Sequence, residues 1–91
     1  MPPKHFDGEV EFMFPDGERH RARVSARFFQ ERWTGEIHLP EHDRTLDRGD
    51  VCWLHGGPFD AQRVVLTEVR GKRRLSFIGL ITPEEPWETV D

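Results

Sequence analysis

Four arginines, Arg19, Arg21, Arg23 and Arg27, share one parity within a short stretch of the chain. Residues two apart on a strand point to the same side, so these guanidinium groups would line one face, where their planar donors suit phosphate or carboxylate. A second basic cluster, Arg70, Lys72, Arg73 and Arg74, follows later. If the two clusters meet in space, Arg19, Arg21, Arg23, Arg27, Arg73 and Arg74 make an anion or nucleotide site, for a cyclic dinucleotide or single-stranded nucleic acid. The same arginines have a purely structural use. Glu9, Glu11 and Glu36 fall on the matching parity of flanking segments, and cross-strand ion pairs are worth about 0.2–1 kcal/mol each. A charged loop tip around residues 70–74 also discourages edge-to-edge strand pairing.

His38, His42, Cys52 and His55 are the best metal-ligating subset of the sequence. Pro40 interrupts the one i, i+4 histidine pair, and a Cys-x-x-His pair alone falls short of a structural zinc signature. Cys52 lies inside the apolar run Val51–Leu54, where a free cysteine behaves as a small hydrophobe rather than a nucleophile. The carboxylates form no recognisable acid/base pair, and Gly56-Gly57 is not a phosphate-binding loop. No enzyme activity, metal or cofactor is expected.

The elements that would position these residues read mainly as strands. Val10, Phe12 and Phe14 alternate with polar neighbours, and Pro15-Asp16-Gly17 then supplies a hairpin turn. His20, Ala22, Val24, Ala26 and Phe28 continue the alternation as a second strand. A competing reading makes residues 25–33 a short helix with Ser25 as its N-cap, since Phe29 and Trp33 have i, i+4 spacing. Trp33 to Leu39 gives a third strand, residues 40–50 a polar loop, and Val51 to Leu54 a short fourth strand. The β-branched run Val64–Val69 and the segment Leu75–Ile81, joined by Gly71-Lys72, form a closing hairpin. Six strands without a long helix predict an all-β, small antiparallel six-stranded barrel, a meander at its start and a hairpin at its end.

The chain has 91 residues and a formal net charge of −4. That size accommodates one hydrophobic core, so residues 1–81 read as one domain and 82–91 as an acidic, proline-containing tail that loses order. Charge alternates in blocks: −4 over 1–18, +4 over 19–33, −4 over 34–61, +4 over 62–81 and −4 over 82–91. The net negative charge argues against general affinity for a phosphate backbone. No run is long and apolar enough for a membrane span, no secretory signal is legible, and the lone cysteine points to no oxidising compartment, so a cytoplasmic location is expected.

The layout resembles the PilZ domain, a small β-barrel family whose typical members bind cyclic di-GMP. The resemblance lies in Phe14-Pro15-Asp16-Gly17-Glu18 between the first two strands, Gly35-Glu36-Ile37-His38-Leu39 in the third, Leu46-Asp47-Arg48-Gly49 before the fourth, and Leu75-Ser76-Phe77-Ile78-Gly79 near the end. The ligand motifs of that family do not match. Its Arg-x-x-x-Arg before the first strand is replaced by Pro2-Pro3-Lys4-His5, and its Asp/Asn-x-Ser-x-x-Gly after the second by Ala26 to Gly35; Arg19-x-x-x-Arg23 has the spacing at another position. The resemblance implies a barrel that lacks the nucleotide pocket and acts through protein contacts. The leading expectation is a non-enzymatic binding or regulatory module that meets a protein partner, or a second copy of itself as a homodimer, through strand edges and outward arginines. Most large side chains are needed in the core, which leaves Phe29 or Trp87 free for it.

Overall fold

In the computed structural model, which describes residues 4–79, six strands form one closed antiparallel barrel. They are β1 (Lys4–Met13), β2 (Arg19–Phe29), β3 (Arg32–His38), β4 (Val51–Gly56), β5 (Phe59–Arg70) and β6 (Arg74–Gly79). Around the barrel the order is β1-β2-β3-β6-β5-β4. Positions 80 and 81, expected to end the last strand, and the expected tail 82–91 lie outside the described residues.

The β1–β2 turn follows from its residues. The amide of Gly17 donates to the carbonyl of Phe14 at 2.9 Å, Asp16 Oδ1 accepts from the amide of Glu18 at 2.9 Å, and Gly17 sits at φ 94°. Proline presets the first corner and glycine takes the left-handed one that closes a tight hairpin. Alternation then carries the core. Val10, Phe12, Val24, Ile37, Leu54, Val64, Leu66, Leu75 and Phe77 point inward and are buried, and Phe14 seals one end of the barrel with them. Burying a side chain of this size contributes about 1.5–3 kcal/mol, which is what a small barrel has to offset chain entropy.

Two expectations are corrected here. Residues 25–33 are not a helix: β2 runs through Phe29, and Gln30 and Glu31, at φ 56° and 65°, make a two-residue turn into β3. Inward burial of Ala26 and Trp33, with Trp33 opposite Phe28, outweighs the helical spacing, because a helix there would strip two strands from the barrel. The strand edges expected to meet a partner are also not those of an open sheet. Glu11–Met13 pair with Trp53–His55, so β1 and β4 close the cylinder along that stretch. Trp53 points outward from β4 and is half-buried.

Candidate functional site

The arginine stripe of β2 lies beside the acids of β1, with contacts offset by two residues from the positions directly opposite. Glu11 faces Arg21 and Glu9 faces Arg23 in the register. The contacts instead run diagonally: Arg19 Nη1 to Glu11 Oε1 at 3.8 Å, Arg21 Nη1 to Glu9 Oε1 at 3.3 Å, and Arg23 Nη2 to Asp7 Oδ1 at 3.2 Å. Sheet twist leans long side chains along the strand and makes the diagonal neighbour reachable. Glu36, anticipated as a partner, lies 3.4 Å from His38 Nε2 instead.

Of the first basic cluster only Arg23 shares a row with members of the second, and β3 stands between them. Arg23, His38, Arg74 and Arg70 occupy one cross-strand row over β2, β3, β6 and β5. The adjacent row is Asp7, Ser25, Glu36, Ser76 and Glu68. Each of Arg23, His38 and Arg70 has a side-chain nitrogen within 3.4 Å of the acid of the next row; Glu68, hydrogen-bonded to Arg70 Nε at 3.1 Å, raises that guanidinium's pKa further. Arg74 stands between His38 and Arg70, its own strand offers Ser76 rather than an acid in the next row, and it has no ion pair among the described residues. Arg73 is used structurally. Its Nε donates to the carbonyl of Leu39 at 3.1 Å, and its carbonyl accepts from the Leu39 amide at 2.8 Å, tying β3 to the β5–β6 hairpin.

Arg27 differs from the rest of its stripe. Across from it stand His5 and Thr34 rather than a carboxylate, and among the described residues it has no ionic partner. Together with His5, Ser25, Ala26, Thr34 and Gly35 it lines a shallow depression of about 260 Å³ on the outer face. Two residues on, Phe29 is 54% exposed, the one large hydrophobic side chain so exposed among the described residues. Arg32 stands opposite Phe29 and is likewise without an ionic partner among them. The hairpin end therefore presents an aromatic ring between two uncompensated guanidinium groups. The turn that carries it holds Gln30 and Glu31 in left-handed backbone conformations, which cost L-residues with side chains roughly 1 kcal/mol or more each.

Gly35 lets this hairpin form at its close spacing. A Cβ at that position would run into the carbonyl oxygen of Ser25 and lie 2.7 Å from the Cα of Ala26, so β2 and β3 approach there only because glycine is present.

The histidines and Cys52 disperse. His38 and His55 face outward on β3 and β4, His42 lies in the 39–50 loop, and Cys52 is fully buried. No three His, Cys, Asp or Glu side chains among the described residues gather in a way that could hold a metal ion. His42 is a clasp: Nδ1 accepts from the Arg44 amide at 3.0 Å and Nε2 lies 2.7 Å from the Lys72 carbonyl, which fixes Nε2 as the protonated nitrogen. His55 Nδ1 accepts from the Ala61 amide at 3.2 Å. Desolvation, and after it the Asp50 carboxylate, pushes the Cys52 thiol up to about 12, so it stays protonated at neutral pH.

Two residues with clear roles carried no signal in the sequence. Arg44 reaches from the loop to Asp16 (3.2 Å), Glu18 (3.0 Å) and Asp43 (3.2 Å) and lies over the Phe14 ring, so it pins the loop across one end of the barrel. Arg32 joins the exposed hairpin face only because the turn falls at Gln30-Glu31, which lacks the Asn-Gly or Asp-Gly marks of a tight hairpin. No helix among the described residues is long and apolar enough to cross a membrane. No family model, curated protein or solved structure matches the chain.

Proposed function

We propose that this barrel is a cytoplasmic, non-enzymatic binding module that engages a partner protein through the β2–β3 hairpin end. One observation carries the reading: Phe29 projects from a strained turn with Arg27 and Arg32 beside it, none of the three used by the fold. Interface hot spots are enriched in aromatic and arginine side chains, and the ring stays exposed in a chain that buries most of its other large apolar groups. The ladder arginines suit this role less, since their charges already meet Glu11, Glu9 and Asp7. In-cell crosslinking followed by affinity capture and mass spectrometry tests it. Proteins captured by the wild-type chain should drop about tenfold or more with Phe29→Ala, as expected for a hot-spot aromatic, and persist with Arg21→Ala. Equal capture by both variants would sink the assignment of the face. Light scattering at increasing concentration separates a second copy of the chain from another partner.

A second reading is favoured by the depression at Arg27, where an unpaired guanidinium stands among Ser25, Thr34 and His5. These groups suit a phosphate, including that of a nucleotide. Membership of the PilZ family is a further proposal, supported by a small six-stranded antiparallel barrel that is compatible with that layout. Calorimetry at low salt against a nucleotide panel that includes cyclic di-GMP tests the phosphate reading; heat that vanishes in Arg27→Ala supports it, and no heat removes it.

A further inference from the structure

Charge at the hairpin end is left over in one sign. Lys4, Arg27 and Arg32 stand there, with Glu31 as the one carboxylate between positions 27 and 32, and neither guanidinium has an ionic partner among the described residues. Lys4 Nζ lies 5.7 Å from the centroid of the Phe28 ring at the same end of the barrel. Spacing is as definite as charge. Arg27 and Phe29 are two residues apart on one face of β2, roughly 6.6 Å, and Arg32 stands directly across from Phe29 at about 5 Å. An extended segment laid along β2 has the same step of roughly 6.6 Å between alternate side chains. A carboxylate over Arg27 would therefore bring the side chain two residues on over Phe29, and the next alternate one to where the Arg32 guanidinium reaches. A nucleic acid or an anionic bilayer extends past the patch and meets a chain of net charge −4, whereas a segment of about five residues stays within roughly a Debye length, about 8–10 Å, of the two guanidinium groups. Nor does a second copy supply the complement, since its Asp7, Glu9, Glu11, Glu36 and Glu68 already meet arginine or histidine side chains.

We propose that the Arg27–Phe29–Arg32 face takes an extended acidic segment of another protein, with the pattern acid-x-apolar-x-acid: the first carboxylate on Arg27, the apolar side chain against Phe29 and the second carboxylate on Arg32. This names the partner chemistry of the face and rests on the reading of the face as a binding surface. Guanidinium–carboxylate contacts fix the register because the planar donors pair bidentately, and the ring supplies the apolar anchor. Exposed ion pairs are individually weak, so it is the alternation of acid and apolar side chains, matched to the strand, that selects the segment.

Titration of the isotope-labelled full chain with the peptide Glu-Ser-Leu-Ser-Glu, followed by amide chemical shifts, tests it. Shifts should concentrate at Arg27, Phe29 and Arg32. Affinity should fall about tenfold in R27E/R32E, as expected when attractive charge pairs turn repulsive, and return when the same variant meets a peptide with lysines in place of the glutamates. Phe29→Ala should weaken binding of the original peptide about as much. Absence of shifts, shifts centred elsewhere, or equal binding of the lysine peptide by the wild-type chain would overturn the assignment. Vesicles of phosphatidylserine and phosphatidylcholine that bind through Arg27 and Arg32, where the peptide does not, would replace it with a membrane surface. Cellular capture that is lost in Phe29→Ala yet persists in R27E/R32E would remove the acidic partner class and leave the binding-module reading standing.

Discussion

In the first half of β2, Arg19, Arg21 and Arg23 each lean onto a carboxylate of β1, whereas Arg27, four residues further along the same face, meets only His5 and Thr34. Residue type and parity are the same in both halves. The difference comes from the neighbour: β1 carries Asp7, Glu9 and Glu11 along the ladder and His5 at its beginning. An arginine stripe is therefore not one site. Its paired part is a solvated surface held at neutrality, and its unpaired part, joined by Phe29 and Arg32 across the turn, is where charge and apolar surface remain unused by the fold.

The comparison can be broken most severely at Gly35, which sets the approach of β2 and β3 beneath the hairpin face. Gly35→Ala should destabilise the domain by about 3 kcal/mol, because a methyl group meets the β2 backbone rather than a movable side chain. Urea unfolding checks this, and an unchanged midpoint would show that the strands tolerate wider spacing. Arg44→Ala comes next. It leaves Asp16, Glu18 and Asp43 without their shared cation and uncovers the Phe14 ring, so a loss of about 1–2 kcal/mol is expected. Salt should reduce that loss by screening the freed carboxylates.

At the turn the sign reverses. Replacing Gln30-Glu31 by Asn-Gly should stabilise the domain by about 1 kcal/mol, since both positions already sit at positive φ. If thermal unfolding shows no gain, the turn is not strained and loses its value as a mark of function. The smallest effect belongs to the ladder. A double-mutant cycle on Arg21→Ala and Glu9→Ala should give a coupling of a few tenths of a kcal/mol, about the norm for exposed pairs, because both side chains are more than half exposed. A coupling above about 1 kcal/mol would mean the ladder is a rigid network rather than a solvated face.

Much of the fold was legible along the chain. The Val10-Phe12-Phe14 and Ala22-Val24-Ala26 alternations identify which side chains face inward, and Pro15-Asp16-Gly17 marks its own turn, because both signals depend only on local geometry. The β2–β3 turn was hidden by its composition, since Gln30 and Glu31 are not residues that favour left-handed conformations. The beginning of β1 was hidden too: Gly8 interrupts the apolar parity, and Phe6 is held by its edge contact with Phe59 from a distant strand.

The candidate site divides along the same line. Sequence alone determined that arginines would stand in a stripe and that the charge blocks alternate in sign, because parity and composition are properties of the chain itself. Only the tertiary structure decided which arginines are neutralised. That choice depends on strand register, on the twist that turns direct pairs into diagonal ones, and on a barrel closure that places Glu11 beside His55 and leaves Arg27, Phe29 and Arg32 together at one end.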